Sequence, residues 1–175
     1  MTAPHSSIFL VGLPGSGKST VSKQLAKLLH CKVIDTDALI EEYVGCSIAQ
    51  YFEREGQDAF RDLESQALQE VVQMNEAIVL ATGGGIVLRP ANRELLKARC
   101  FVVYLHAEPA QLYVRLKNDR SRPLLQNTDI QAKLLALYTE RHDLYVQAAH
   151  LQVESTLQSA QMLAEQIATS LQTAL

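Results

Sequence analysis

The chain has 175 residues, of which 47% are hydrophobic and 20% are charged, and its formal net charge is −3. This length and composition predict one domain with a sizeable core. Because the net charge is slightly acidic and the basic residues are scattered, the sequence does not have the positive footprint of a nucleic-acid-binding protein. No run of 18 apolar residues occurs, and the first residues have no apolar signal core, so we expect neither a membrane protein nor a secreted one.

Three cysteines, Cys31, Cys46 and Cys100, make an odd count and do not have the spacing of metal ligands. We therefore expect reduced thiols in a cytoplasmic protein. The sequence shows no internal repeat and no linker, so we treat residues 1–175 as a single domain and expect a monomer.

The stretch GLPGSGKST at residues 12–20 fits the phosphate-binding pattern G-x-x-x-x-G-K-[ST]. The apolar run before it predicts a buried parallel strand, and the apolar residues after it recur at helical spacing. Between a strand and a helix, backbone N–H groups and the helix dipole attract phosphate oxygens. Lys18 then reaches the β- and γ-phosphates, and the Ser19 hydroxyl ligates Mg²⁺. The alternative, a glycine-rich turn that meets the pattern by accident, does not explain these flanks.

Two acidic residues, Asp35 and Asp37, follow a predicted short strand over residues 32–34. They fall at the edge where open α/β sheets bind ligands. The alternative for Asp37 is that it only caps a helix predicted over residues 38–43.

Further helices are predicted from a capping box at Ser47 and over residues 58–74. In the second of these, Arg61 lies off the apolar stripe, and Glu64 one turn later is its candidate partner. An exposed arginine on a helix is usually only solvated surface, so the residue alone does not indicate a site.

A strongly apolar strand over residues 77–81 leads into Gly83, Gly84 and Gly85. Three consecutive glycines cost conformational entropy, and a plain turn needs one or two. The third favours close approach of a ligand to the backbone over a simple loop.

The second half of the chain continues the alternation of helices and strands. Helices are predicted over residues 90–96, 108–117, 129–149 and 156–171, and strands over 100–105 and 151–153. We expect Leu134, Leu135, Tyr138 and His142 to lie along one face of the helix over 129–149, and His142 and His150 to be structural. The alternation predicts a parallel sheet with helices on both faces. A polar, basic segment near 117–126 interrupts it, as either a solvent-facing loop or a lid over phosphates.

Taken in order, six motifs resemble those of the shikimate kinases. They are GLPGSGKST, Asp35-Thr36-Asp37, Phe60-Arg61, the segment 81–85, Arg122-Pro123-Leu124-Leu125, and Glu140-Arg141 with Leu144-Tyr145. The resemblance implies the fold of P-loop, nucleoside-monophosphate-kinase-like proteins: a three-layer α/β/α arrangement around a five-stranded parallel sheet. It also implies a lid near residues 117–126 and a substrate-binding helical segment near 37–64.

The resemblance further implies an enzyme that uses Mg²⁺ and transfers the γ-phosphoryl group of ATP to the 3-hydroxyl of shikimate. The products are shikimate 3-phosphate and ADP, on the route to chorismate and the aromatic amino acids. The implied nucleotide contacts are Gly15, Ser16, Gly17, Lys18, Ser19, Thr20, Arg115, Arg122 and Gln158. The implied substrate contacts are Asp37, Arg61, Gly83, Gly84 and Arg141, with Ser19 and Asp35 at the metal and Lys18, Asp37 and Arg122 as catalytic residues.

Three other functions are compatible with parts of the pattern. A kinase of another small polyol acid, such as gluconate, would share the P-loop but is not expected to have both the acidic pair and the triple glycine. A GTPase needs an N-K-x-D motif, and the nearest residues, Asn118-Asp119, do not fit it. A non-catalytic nucleotide-binding module would not need Lys18, Asp37 and the arginines.

Overall fold

A computed structural model of the chain describes residues 7–117 and 129–174. These ranges contain five strands and eight helices. In chain order they are β1 (Ile8–Val11), α1 (Lys18–Leu29), β2 (Lys32–Asp35), α2 (Thr36–Val44), α3 (Ile48–Glu55), α4 (Gln57–Val72), β3 (Ile78–Ala81), α5 (Pro90–Arg99), β4 (Phe101–His106), α6 (Pro109–Leu116), α7 (Ile130–Ala148), β5 (Leu151–Glu154) and α8 (Ala160–Ala174).

The strands form one parallel sheet in the order β2-β3-β1-β4-β5. The predicted five-stranded parallel sheet with flanking helices is confirmed. The register pairs Leu10 with Ala81, and Ala81 in turn with Asp35. The ends of β1, β2 and β3 therefore meet at one edge, and the P-loop, the acidic pair and the triple glycine all follow from that edge.

The two faces of the sheet are covered separately because successive side chains of a strand point to opposite sides. Phe9 and Val11 of β1 pack in a core with residues of α4, α5, α6 and α7. Ile8 and Leu10 pack on the other face with residues of α1 and α8. This division produces the three layers.

A third, smaller apolar cluster joins α2, α3 and α4 around Ile40, Phe60 and Ala67. The rings of Phe52 and Phe60 lie 4.8 Å apart between centroids, which holds α3 against α4. These helices correspond to the segment that the sequence predicts near residues 37–64. Their packing orients α2 and α4 beside the edge of the sheet.

Two details of the helix predictions are wrong. Leu135 does not share the buried face of α7, since 59% of it is exposed; the buried residues are Leu134, Leu137, Arg141, Tyr145 and Ala148. Their spacing of three, four, four and three residues follows the helical repeat, which an adjacent pair cannot do. The last helix begins at residue 160, because the Ser159 side chain accepts a hydrogen bond from Met162 N and ends the preceding loop.

Most of the predicted lid, including Arg122, lies outside the described residues, and only Lys117 at its start belongs to them. Within residues 7–117 and 129–174, no helix is long and apolar enough to cross a membrane. Cys31, Cys46 and Cys100 are all free cysteines in the structure.

Candidate active site

The P-loop connects β1 to α1 through glycines whose backbone conformations other residues rarely adopt. Gly12, Gly15 and Gly17 have φ angles of 152°, 82° and 94°. A β-carbon at Gly12 would lie 2.7 Å from the carbonyl oxygen of Leu105, so a side chain there would also collide with β4. The loop thus curls tightly at the amino end of α1, where the helix dipole favours a phosphate.

Lys18 is the first residue of α1, and its ammonium group turns back over the loop. Its Nζ donates to the carbonyl oxygens of Gly12 and Leu13 at 2.7 and 3.0 Å. The side chain is half-buried, whereas Ser19 and Thr20 are exposed. The predicted phosphate-binding residues from Gly15 to Thr20 therefore form the end of one loop and the start of α1. The Lys18 side chain folds back against that loop.

Asp35 joins the P-loop to the acidic turn after β2. Its Oδ2 accepts a hydrogen bond from Ser19 Oγ at 2.9 Å. Its Oδ1 accepts from the backbone nitrogens of Asp37 and Ala38 at 3.0 and 3.3 Å, so Asp35 is the N-cap of α2. The alternative that Asp37 caps this helix is wrong: Asp37 is a first-turn residue, and its carboxylate is not the capping group.

Gly83 lies between two carboxylates. A β-carbon at this position would be 2.8 Å from Asp37 Oδ1 and 2.9 Å from Glu64 Oε2. Both distances are shorter than a carbon–oxygen contact allows, so a side chain at this position would have to displace these carboxylates. The acidic turn after β2 and the helix α4 thus approach the same backbone.

The next two glycines lie against the arginines. A β-carbon at Gly84 would be 3.3 Å from Nη1 of Arg141, and one at Gly85 would overlap the guanidinium of Arg61. A β-carbon at Gly84 would also lie 3.5 Å from the carbonyl oxygen of Gly12 in the P-loop. The triple glycine therefore brings Asp37, Arg61 and Arg141 together next to the phosphate-binding loop.

Arg61 is paired with Glu64 one turn further along α4. The pair is buried, with 12% of the Arg61 side chain and 2% of the Glu64 side chain exposed, so Arg61 is not solvated surface. Burial raises the pKa of Glu64, the positive charge of Arg61 opposes this rise, and the charge of Asp37 adds to it. From the sequence, the spacing of three residues was the only signal for this pair.

Arg141 comes from α7, and 8% of it is exposed. Its Nε lies 3.5 Å from a carboxylate oxygen of Glu140, which is itself half exposed.

Tyr145, one turn further along α7, is fully buried and donates from its hydroxyl to the carbonyl oxygen of Gly84 at 2.6 Å. Burial raises the pKa of Tyr145, and the neighbouring Arg141 opposes that rise. The sequence contains no signal for this role of Tyr145 apart from its place in the Leu144-Tyr145 motif.

Two further predicted nucleotide contacts lie beyond the P-loop. Arg115 of α6 is exposed and donates to the carbonyl oxygens of Gly15 and Ser155 at 2.9 and 2.7 Å. It links the P-loop to the loop that follows β5. Gln158 lies in that second loop, and its amide nitrogen donates to the side chain of Gln166 at 3.1 Å.

The arrangement has two adjoining halves. One holds Lys18, Ser19 and Asp35 around a phosphate-binding loop, and the other holds Asp37, Arg61 and Arg141 around a glycine backbone. Such a site can hold a polyphosphate beside a small molecule that carries hydroxyls and a carboxylate. The observed pairing of a P-loop with these groups is that of a small-molecule kinase.

Comparisons with known proteins agree with this geometry. The family model for shikimate kinase matches residues 14–172. The chain belongs to the shikimate kinase family. It is therefore an ATP-dependent kinase that acts on shikimate, as the order of the sequence motifs predicts.

Individual relatives cover nearly the whole chain. A shikimate kinase of Paracidovorax citrulli is 48% identical over 86% of this chain and 82% of its own length. One of Burkholderia thailandensis is 45% identical over 98% of this chain and 92% of its own. Among solved structures, the shikimate kinase from Acinetobacter baumannii in complex with shikimate is 39% identical, with a TM-score of 0.91 over 97% of this chain and 94% of that one.

Proposed function

We propose that this shikimate kinase binds its substrate between Asp37, Arg61 and Arg141 and transfers to it a phosphoryl group from ATP held by the P-loop. The observation that carries the proposal is the convergence of these three side chains on the triple glycine, directly beside Gly12. In-line transfer requires the acceptor hydroxyl and the γ-phosphate to meet, and adjoining half-sites provide that meeting point.

The nucleotide half consists of Gly15, Ser16, Gly17, Lys18, Ser19, Thr20, Arg115, Arg122 and Gln158. Backbone N–H groups of the loop bind phosphate oxygens, and the Lys18 ammonium exchanges its two carbonyl partners for the β- and γ-phosphates. Arg115 already contacts the loop after β5, so it borders the space next to the P-loop in which the base lies. Arg122 adds positive charge to the transferring group.

Ser19 and Asp35 suit a magnesium ion. A hydroxyl and a carboxylate lie within 2.9 Å of each other at the P-loop, and both are the oxygen donors that Mg²⁺ prefers. Ser19 and Asp35 would hold the ion at the P-loop, where it would supply positive charge that neutralises the phosphates.

Asp37 orients the acceptor. Its carboxylate lies against Gly83 at the end of β3, where it accepts hydrogen bonds from substrate hydroxyls. The transition state of phosphoryl transfer is loose and needs little deprotonation of the attacking oxygen. We therefore assign Asp37 to positioning the 3-hydroxyl ahead of removing its proton.

The two arginines bind the substrate carboxylate. A planar guanidinium grips a carboxylate through two parallel hydrogen bonds, which an ammonium cannot do. Arg61 and Arg141 come from different helices and meet at the same glycine segment, so one anion can contact both. Gly83 and Gly84 complete the pocket with their backbone.

We also propose that the enzyme is a monomeric, single-domain protein of the cytoplasm with a lid near residues 117–126. Free cysteines and a requirement for ATP fit that compartment. A closing lid would exclude water that otherwise hydrolyses ATP.

A coupled assay of ADP release tests the function. With Mg²⁺ and ATP, we expect shikimate to stimulate release by orders of magnitude, and gluconate or water alone to give only a background rate. Omission of Mg²⁺ should abolish the stimulation. Equal release with and without shikimate would contradict the proposal.

A further inference from the structure

The glycine segment that the substrate is proposed to contact has little stiffness of its own. Glycine backbone has more conformational freedom than that of any other residue, so the orientation of Gly83 and Gly84 must be set from outside. Among the described residues, two buried hydroxyl groups bond to this segment, one from α2 and one from α7.

The first is the hydroxyl of Thr36. Gly83 N donates to Thr36 Oγ1 at 2.8 Å, and the same hydroxyl lies 3.4 Å from the carbonyl oxygen of Ala81, to which it donates. Thr36 is completely buried and immediately precedes Asp37. Its hydroxyl thus ties the turn that carries Asp37 to the start of the glycine segment.

The second is the hydroxyl of Tyr145, which donates to the carbonyl oxygen of Gly84 at 2.6 Å. Its ring is completely buried and stacks on that of Tyr104 in β4, with centroids 5.0 Å apart. Tyr104 in turn shares a hydrogen bond of 3.0 Å with His142 Nδ1. Tyr145 is therefore held firmly on α7, one turn from Arg141.

We propose that Thr36 and Tyr145 are positioning residues, which clamp the N–H of Gly83 and the C=O of Gly84 and so hold the substrate-facing backbone in register with Asp37 and Arg141. This inference rests on the proposed substrate-binding roles of Asp37, Arg141 and the glycines. Neither hydroxyl needs to touch the substrate. Because a displacement of about an ångström in a reacting geometry costs on the order of 10²-fold in rate, a loosened clamp should be visible in the kinetics.

The test uses Thr36→Val and Tyr145→Phe, each of which removes one hydroxyl and keeps the buried shape. We expect kcat/KM for shikimate to fall about tenfold or more in each variant, while KM for ATP changes by less than about twofold. Thr36→Ser should restore most of the loss, since it keeps the hydroxyl. Because both hydroxyls act on one segment, the double variant should not show the product of the two single effects.

Thr82→Val is the matched control. The Thr82 hydroxyl is also buried and also bonds to backbone, but it donates to the carbonyl oxygen of Leu10 at 2.8 Å and not to the glycine segment. Thermal unfolding should show similar losses of stability for Thr36→Val and Thr82→Val, with a kinetic defect only in the first. Equal kinetic losses in both variants, or wild-type kinetics in Thr36→Val and Tyr145→Phe, would overturn the clamp.

Two reference variants separate this outcome from failure of the proposed site. If Asp37→Asn and Arg141→Ala are impaired while Thr36→Val and Tyr145→Phe are not, the substrate assignments stand and the clamp is wrong. If Asp37→Asn and Arg141→Ala also turn over normally, the proposed substrate site itself is wrong.

Discussion

Arg61 and Glu64 form a buried ion pair one turn apart on α4, with Asp37 next to it across Gly83. Glu64 is the candidate partner of Arg61 in the sequence, and the structure pairs the two, with Glu64 almost completely buried. Glu64 therefore orients Arg61 before a substrate arrives, and the proposed contact with the substrate carboxylate would add a partner to a preformed pair.

The arginines should determine affinity for the substrate carboxylate. Each charge-assisted contact is worth about 1.5–3 kcal/mol, so Arg61→Ala or Arg141→Ala should raise KM for shikimate roughly ten- to a hundredfold. KM for ATP should barely change. Replacement by lysine should rescue only partly, because it does not reproduce the planar fork. Steady-state kinetics with each substrate varied in turn checks both values.

An analogue whose carboxylate is reduced to a hydroxymethyl group provides the control for this prediction. The wild-type enzyme should use it poorly, and the arginine variants should lose little more. Simply additive losses from mutation and from carboxylate removal would show that the arginines bind another group.

Lys18→Met should leave a folded protein with turnover reduced by orders of magnitude. The ammonium donates to the loop carbonyls of Gly12 and Leu13 and lies outside the apolar core, so we expect the fold to tolerate loss of its charge. Circular dichroism and the ADP-release assay measure the two properties separately. Near-normal turnover would refute the assigned role of the P-loop lysine.

Asp37→Asn should retain ATP binding and lose most activity, through misplacement of the attacking hydroxyl. The N-cap of α2 is Asp35, so this substitution leaves the cap in place and any loss cannot be attributed to it. A nucleotide titration should therefore give a near-normal affinity for ATP, while the turnover assay shows a large loss of activity. If Asp37→Asn is as active as the wild type, Asp37 does not orient the acceptor.

Asp35→Asn should raise the Mg²⁺ concentration that gives half-maximal activity. Asparagine is as good an N-cap as aspartate, so α2 should remain stable while the negative oxygen beside Ser19 is lost. A magnesium titration with a parallel thermal unfolding curve checks this. An unchanged Mg²⁺ requirement would place the ion elsewhere.

Glu64 should give a pH-dependent contribution to stability. Burial raises the pKa of Glu64 above its ordinary value near 4.5, so the folded state binds this proton more tightly than the unfolded state. The contribution is fully present below that value and is lost as the pH rises through the raised folded pKa. Relative to a Glu64→Gln variant, the wild-type free energy of unfolding should therefore decline with rising pH.

Urea unfolding of both proteins between about pH 5 and pH 8 measures this difference. Arg61→Gln is the companion variant, because loss of the guanidinium removes the charge that opposes the rise and should move the decline to higher pH. A wild-type and Glu64→Gln pair with parallel pH profiles would mean that the carboxyl is not perturbed by the fold.

Features that depend on neighbouring residues could be predicted from the sequence alone. The P-loop motif is nine consecutive residues that run from the end of β1 into α1, and Asp35, Asp37 and the triple glycine lie at or just after the end of a strand. Since all carboxyl ends of a parallel sheet lie at one edge, these motifs had to meet once the strands were recognised. The ends of the helices are harder to predict than their existence, because capping residues such as Ser159 determine where a helix begins.

Which groups touch across that edge depends on contacts between elements that are far apart in the sequence. The strand order β2-β3-β1-β4-β5 pairs residues 46 to 93 positions apart, and such pairings have no local signal. The same holds for Gly83 between Asp37 and Glu64, and for Tyr145 on Gly84, since each contact joins different elements. Burial of Glu64 and Arg141 likewise results from the packing of α4 and α7 against the sheet. Periodicity in the sequence assigns charged residues to the surface. These two are buried because the folded protein provides charged and polar partners for them.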